Sequence, residues 1–291
     1  MNKKIFATFI MASFINTLSA QQEIRLFPDK APGDSITYLE KDNWEGDSVG
    51  GLPVLRKTDV GIPEITIFQA PMSTNPNPAV LVCPGGGYGI LAYDMEGTEV
   101  CSWLNSLGIT AVLVKYRVPR RPGRAKHEAP LQDVQRAISY VRYHAEQFQI
   151  DPSKIGVMGF SAGAHLSVMA STSFKNRTYS QVDEADTVSC RPDFCLLIYP
   201  AYLSGFDFTL SPEVKVSSDV PPTMMIQAED DKYFVDSSLF YYYALKQAKV
   251  PAWIHLYSSG GHGYGMRNTG HAVNEWPLRA ADWFKELKLI P

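Results

Sequence analysis

Residues 155–165 read Ile-Gly-Val-Met-Gly-Phe-Ser-Ala-Gly-Ala-His and place a strand, a turn and a helix in immediate succession. The apolar run over 155–158 predicts a short buried strand, and the small residues over 162–171 predict a helix. Between them lies G-x-S-x-G, which in this context is the pattern of a nucleophile elbow. Side chains at the two glycine positions would clash with the neighbouring strand and helix. We therefore predict that Ser161 is held in a strained conformation, with its hydroxyl exposed at a helix N-terminus that favours negative charge.

The rest of the chain alternates between strand-like and helical hydrophobic patterns. Strand-like runs occupy residues 63–70, 79–83, 109–116, 194–199, 222–227 and 252–257, and helical patterns occupy 96–107, 129–148, 235–248 and 274–287. This alternation predicts an α/β fold with a parallel sheet. Residues 21–60 have a weaker pattern and many turn residues, which indicates an N-terminal extension with antiparallel strands. The candidate insertions at 173–192 and 201–220 are short, so no large lid domain is expected.

A serine nucleophile needs a base, and the base needs an acid that orients it. The segment Gly260-Gly-His-Gly-Tyr-Gly265 places His262 in a glycine-rich loop between a strand and the last helix. The loop 228–236, AEDDKYFVD, follows the strand over 222–227 and lies between nucleophile and base in the chain. We predict His262 as the base and Asp231 as the acid. Asp230 and Asp236 are the alternatives for the acid.

The other histidines are expected to have structural positions. His165 follows the elbow on the predicted helix and should pack or hydrogen-bond behind Ser161. His255 lies inside a strand and is interpreted as a core or supporting residue. Ordinary surface positions are expected for His127, His144 and His271.

Residues 81–89, LVCPGGGYG, follow an apolar strand with a proline and four glycines. Acyl transfer builds an oxyanion, which backbone amides stabilise at two places: after the nucleophile, and in a glycine-rich loop after an early strand. The first amide would be that of Ala162. Gly86 and Gly87 would offer the others, since bare backbone leaves room for a substrate carbonyl.

The composition of the 291-residue chain is that of a globular protein, with 45% hydrophobic residues and a net charge of −3. Basic residues form no run, so a nucleic-acid partner is not expected. The four cysteines, Cys83, Cys101, Cys190 and Cys195, match no metal-binding spacing, and their pairing is not fixed by the sequence. No metal and no cofactor are implied.

The first twenty residues differ from the rest of the chain. Lys3 and Lys4 precede a mostly apolar run over 5–18, and Leu18-Ser19-Ala20 has the small residues of a cleavage site. This pattern predicts a signal peptide over residues 1–20, and hence a periplasmic or secreted protein. The remaining residues, 21–291, would form a single catalytic domain. No later stretch is long enough to span a bilayer, so no membrane association is expected.

Together these motifs resemble a known group of proteins. The strings PGGGY, LAYDMEG (91–97), VKYRVP (114–119), GFSAGAHL, AEDD and GGHGYG are similar to those of secreted bacterial α/β-hydrolases of the acetyl-xylan-esterase-like or prolyl-oligopeptidase-like group. The resemblance covers nearly all of residues 23–288. It implies a mostly parallel central sheet with helices on both faces, Ser161, Asp231 and His262 as the triad, and Gly86, Gly87 and Ala162 as oxyanion donors. The related lipase and esterase pattern has histidine where this chain has Pro84, and often glycine where it has Ala164.

The motifs lead to one main hypothesis on function, a serine esterase that removes acetyl or other short acyl groups from plant-type polysaccharides such as xylan. An open site without a lid suits such a bulky, hydrated substrate, and Tyr88, Glu96 and Tyr264 are predicted at its rim. The alternatives are a general small-molecule carboxylesterase, a peptidase of the prolyl-oligopeptidase type, and a hydrolase-fold protein that only binds a ligand. The peptidases usually carry a propeller domain, whose repeats are absent from this sequence. Pure binding proteins usually lose a triad member.

Overall fold

The central sheet has eight strands in the part of the chain that the computed structural model describes, residues 22–71, 77–205, 207 and 209–291. The predicted signal peptide lies outside these residues. In chain order the strands of the protein are β1 (Gln22–Arg25), β2 (Lys41–Asn43), β3 (Arg56–Thr58), β4 (Glu64–Phe68), β5 (Asn77–Cys83), β6 (Leu91–Ala92), β7 (Thr110–Lys115), β8 (Ile150–Phe160), β9 (Cys195–Ile198), β10 (Thr223–Ala228) and β11 (Ala252–Tyr257).

The order of the central sheet is β1-β4-β7-β5-β8-β9-β10-β11. The two pairs β1–β4 and β4–β7 are antiparallel, and every pair from β7–β5 to β10–β11 is parallel. The predicted, mostly parallel sheet is therefore confirmed. Strands β2, β3 and β6 form a separate antiparallel sheet, so the expectation of antiparallel strands in the N-terminal extension also holds.

Helices cover both faces of the central sheet, as predicted. They are α1 (Glu99–Ser106), α2 (Glu128–Tyr143), α3 (Ala162–Ser173), α4 (Val235–Gln247) and α5 (Trp276–Glu286), with a π-helical turn at Asp94–Thr98 and 3₁₀ turns at Glu184–Thr187 and Ala272–Glu275. Alternate residues of β5 face opposite ways because side chains alternate along a strand. Ala79, Leu81 and Cys83 join the core cluster that contains α2, α3 and α4, while Val80 and Val82 join the cluster that contains α1 and α5.

The largest differences from the predicted element ends are at the end of α2 and at the start of β8. Helix α2 ends at Tyr143 instead of residue 148, and the chain then turns through Gln149, which has a positive φ of 54°. Strand β8 begins at Ile150, earlier than expected, because its first residues pair with β5 across a register shift.

The two candidate insertions hold no helical lid in their described residues. Segment 173–192 contains only the 3₁₀ turn Glu184–Thr187, and segment 201–220 contains an isolated bridge between Ser204 and Leu210. No described helix is both long and apolar enough to cross a membrane. All four cysteines are buried and unpaired.

Candidate active site

The turn between β8 and α3 places Ser161 at the carboxyl edge of the parallel strands. Ser161 has φ 50° and ψ −116°, a conformation that L-residues rarely adopt. A Cβ at Gly159 would lie 2.2 Å from the Gly163 carbonyl oxygen, and a Cβ at Gly163 would lie 2.1 Å from the Cys83 carbonyl oxygen. Both glycines of G-x-S-x-G are thus required by backbone that passes within contact distance, as the sequence predicts.

Three predicted residues meet at this turn although the chain separates them widely. The Nε2 atom of His262 lies 2.7 Å from Ser161 Oγ, and its Nδ1 atom lies 2.7 Å from Asp231 Oδ2. Asp231 is only 2% exposed, and its Oδ2 atom also accepts a hydrogen bond of 2.9 Å from Gln227 Nε2. Serine, imidazole and carboxylate therefore form one hydrogen-bonded chain in which the carboxylate fixes the tautomer of the ring.

The alternative acids lie elsewhere. Asp230 accepts hydrogen bonds from the amides of Gly261 (2.8 Å) and Gly260 (3.2 Å), and these bonds lower the pKa of its carboxyl group. Asp230 thus holds the loop that carries His262, without contacting the imidazole ring. Asp236 lies in the first turn of α4. Of the three acids considered, Asp231 is the one in contact with His262.

The glycine loop after β5 has the geometry that an oxyanion site requires. Gly86 and Gly87 have positive φ values of 129° and 62°, and a Cβ at Gly86 would lie 2.2 Å from the Ile90 carbonyl oxygen. Among the described residues, no acceptor is hydrogen-bonded to the amides of Gly86, Gly87 or Ala162. These amides are free to bind a ligand, and their role as oxyanion donors stays a prediction.

The three residues predicted at the rim are buried, so this prediction is wrong. Tyr88 and Tyr264 are each 1% exposed and Glu96 is 3% exposed. The Tyr88 hydroxyl hydrogen-bonds to His165 Nδ1 at 2.8 Å, and the Tyr264 ring packs edge-on against Tyr199. Tyr88 and Glu96 are turned inward because each has a hydrogen-bond partner distant in the sequence, whereas the Tyr264 hydroxyl is buried without such a partner among the described residues.

Glu96 instead joins the two loops of the site. Its Oε2 atom accepts a hydrogen bond of 2.6 Å from the Gly85 amide, and its Oε1 atom accepts one of 2.7 Å from the Tyr199 hydroxyl. That hydroxyl in turn accepts a bond of 2.9 Å from the Gly265 amide. Burial raises the pKa of the Glu96 carboxyl group, and the bonds from Tyr199 and Gly85 oppose this shift.

The remaining histidines meet some of the expectations and depart from others. His165 is fully buried on α3, and burial lowers its pKa to about 4, so the ring packs behind the site as predicted. His127 is half-buried and packs against His165 with ring centroids 5.5 Å apart, which corrects its placement at the surface. His255 is only partly buried because β11 is an edge strand, which corrects its placement in the core.

A cleft of about 640 Å³ adjoins the triad. Its lining comes from the loop after β9, from the loop after β10 together with the first turn of α4, and from the segment just before α2: Lys126, Tyr202, Ser204, Gly205, Ser211, Lys232, Tyr233, Phe234 and Asp236. The Phe234 ring lies 5.0 Å from the His262 ring, and a Cβ at Gly87 would lie 3.6 Å from the Tyr202 hydroxyl. One end of the cleft therefore lies next to both His262 and the glycine loop. Sequence reasoning missed it, although the carboxyl ends of parallel strands are where such clefts form.

The described ranges contain no group of three histidine, cysteine, aspartate or glutamate side chains able to hold a metal ion. They do contain the hydrogen-bonded serine, histidine and aspartate, beside the unbonded amides of Gly86, Gly87 and Ala162. A mostly parallel sheet with this elbow after a central strand defines the class of α/β-hydrolases.

Comparison with known proteins narrows the class to a family. A family model described as BD-FAE matches residues 65–194. A crystal structure of an acetyl ester-xyloside bifunctional hydrolase from Caldicellulosiruptor lactoaceticus is 35% identical, with a TM-score of 0.70, over 79% of this chain and 90% of that one. The chain belongs to the BD-FAE family of α/β-hydrolases.

Two curated relatives are longer proteins. An acetylxylan esterase of Xylanibacter ruminicola is 30% identical over 259 residues, which are 80% of this chain and 50% of the relative. An endo-1,4-beta-xylanase B of Butyrivibrio fibrisolvens is 29% identical over 209 residues, 65% of this chain and 33% of the relative. The chain therefore spans half the length of the first relative and a third of the second.

Proposed function

We propose that the protein is a serine esterase that removes acetyl or other short acyl groups from plant-type polysaccharides such as xylan. The observation that carries this proposal is the hydrogen-bonded chain from Ser161 through His262 to Asp231. The names of the acetylxylan esterase and of the acetyl ester-xyloside hydrolase support the ester and the xylan-type substrate.

The reaction follows from the positions of these groups. Ser161 Oγ attacks the ester carbonyl while His262 Nε2 takes its proton, and the amides of Gly86, Gly87 and Ala162 stabilise the oxyanion. The tetrahedral intermediate collapses, His262 returns the proton to the sugar oxygen, and the deacylated sugar leaves. Water then attacks the acyl-enzyme by the same route and releases the carboxylic acid. Asp231 stabilises the imidazolium form of His262 throughout and stays ionised.

We place this activity outside the cytoplasm, in the periplasm or the medium. The proposal rests on the signal-peptide pattern of residues 1–20. It also rests on the size of the substrate, since the enzyme has to reach a polysaccharide that lies outside the cell.

Acetate release from acetylated xylan by residues 21–291 tests the proposal. We expect release by the parent chain and a loss of about 1,000-fold or more in Ser161→Ala, because the nucleophile is gone. Ser102→Ala makes the same chemical change on the exposed face of α1 and should retain full activity. Cleavage of aryl acetates without acetate release from xylan would support the serine mechanism and refute xylan as the substrate. Equal activity of Ser161→Ala would refute the mechanism.

A further inference from the structure

The cleft beside His262 presents aromatic surface that the proposed chemistry does not use. Tyr233 is 72% exposed, and the rings of Tyr202 and Phe234 meet edge to face with centroids 5.4 Å apart. The volume of the cleft, about 640 Å³, is in the usual range of about 300–1,000 Å³ for sites that bind small organic molecules. Aromatic faces of this kind pack against the apolar faces of ring-shaped ligands while the ligand's polar groups remain solvated. The leaving sugar of the proposed reaction would therefore lie here.

Two lysines give the same cleft a positive character. Lys126 Nζ lies 3.9 Å from the centroid of the Tyr202 ring, and Lys232 Nζ lies 5.0 Å from that of Tyr233. Within the part of the chain that the structure describes, neither ammonium group forms an ion pair with a carboxylate. Glu213, which acts on Lys126 from a distance, lies 3.6 Å from His165 instead.

The remaining charge in the lining is that of Asp236. This carboxylate lies in the first turn of α4, where the helix N-terminus stabilises a negative charge. The lining thus holds two ammonium groups and one carboxylate, so its net charge is positive. Burial lowers the pKa of Lys126, and the negative charge of Glu213 opposes this shift only in part.

We propose that Lys126 and Lys232 make the cleft selective for acylated oligosaccharides that carry a carboxylate, such as uronate-substituted chains, over neutral ones. The inference rests on the proposed esterase function and adds the chemistry of the sugar side of the ester. A carboxylate near both ammonium groups would supply the missing partner, and the aromatic rings would hold the adjoining sugar. An exposed ion pair contributes up to about 1 kcal/mol, a factor of about 5 in affinity.

The test compares kcat/KM for an acetylated xylo-oligosaccharide with and without a uronate substituent. The parent chain should prefer the uronate substrate, and the preference should fall about 5-fold in Lys126→Met and again in Lys232→Met, mainly through KM. Raising the salt concentration should reduce the parent chain's preference for the uronate substrate, since screening weakens exposed charge pairs. Lys246→Met, at an exposed position near the end of α4, should keep the parent's preference.

Binding to Ser161→Ala separates this inference from the esterase proposal. Calorimetry with the two oligosaccharides reports on the cleft without any cleavage. Tighter binding of the uronate form, lost in the lysine variants, would support the inference even if acetate release from these substrates failed. Equal binding of both forms, or a preference that survives both lysine substitutions, would overturn it while leaving the esterase function intact.

Discussion

At the scale of single residues, Glu96 connects the two halves of the site. Its carboxylate accepts one bond from the loop of Gly86 and Gly87, through the Gly85 amide, and one from Tyr199, whose hydroxyl holds the loop of His262. Neither bond touches the reacting atoms. Glu96 is therefore a positioning residue, which keeps the free amides and the imidazole at a fixed separation.

Glu96→Gln should reduce kcat/KM for aryl acetates by about 10- to 100-fold, because one of the two donors is left facing an amide NH₂ group. Tyr199→Phe breaks the same connection from the other end. The double variant should then lose little more than the worse single variant, and kinetics of all three proteins measure this. Glu146→Gln, at an exposed position, is the matched control. If the losses in kcat/KM of the two single variants added up in the double variant, Glu96 and Tyr199 would not act through one connection.

The residues of the site were predictable to different degrees. Ser161, Asp231 and His262 could be found because each follows a strand that the sequence pattern predicts, in a fixed chain order, and parallel strands bring such loops to one edge. The positions of Tyr88 and Glu96 could not be found, because their partners His165 and Tyr199 lie 77 and 103 residues away in the chain. Spacing along the sequence does not reveal such partners.

At the scale of elements, the close approach of β5 to the start of α3 depends on Gly163. Gly163→Ala should lower the free energy of unfolding by about 3 kcal/mol or more, since its Cβ would lie 2.1 Å from the backbone oxygen of Cys83 and cannot be accommodated by a rotamer change. Urea unfolding measures this loss. Ala164→Gly, the next position in the helix, should cost only about 1 kcal/mol. Equal losses of stability in the two variants would show that the close contact with the Cys83 carbonyl oxygen does not determine the cost of a side chain at Gly163.

The elements themselves were largely predictable, and their ends were not. The strand over Asn77–Cys83 is buried on both faces, so its residues 79–83 are all apolar, which marks it clearly in the sequence. The end of α2 at Tyr143 depends on Gln149 turning the chain with a positive φ, and no local residue pattern requires that turn. The helix predicted over 96–107 likewise includes residues 96–98 of the π-helical turn Asp94–Thr98.

At the scale of the whole molecule, burial of His165 couples stability to pH. Its pKa is lowered to about 4 in the folded protein, from about 6.5 when unfolded, so the unfolded chain binds more protons between these values. Stability should therefore fall as pH drops from about 6.5 to 4, by an amount on the order of 3 kcal/mol from this group.

Urea unfolding of the parent chain and His165→Asn at pH 7.5 and pH 4.5 tests this coupling. Asparagine keeps an acceptor for the Tyr88 hydroxyl but does not titrate, so the variant should show a smaller loss between the two pH values. His271→Gln changes an exposed histidine and serves as the control. A variant with the same pH dependence as the parent would exclude His165 as the source.

The unpaired state of the four cysteines has a practical consequence. Their sulfur atoms are shielded from solvent, and burial raises the pKa of Cys195 to about 12, which suppresses the reactive thiolate. The native chain holds no covalent cross-link that a reductant could break. Folding therefore needs no disulfide oxidase or disulfide isomerase, and recombinant production in a reducing cytosol should give the folded protein. Enzyme kept in buffers with millimolar thiol should lose none of its activity.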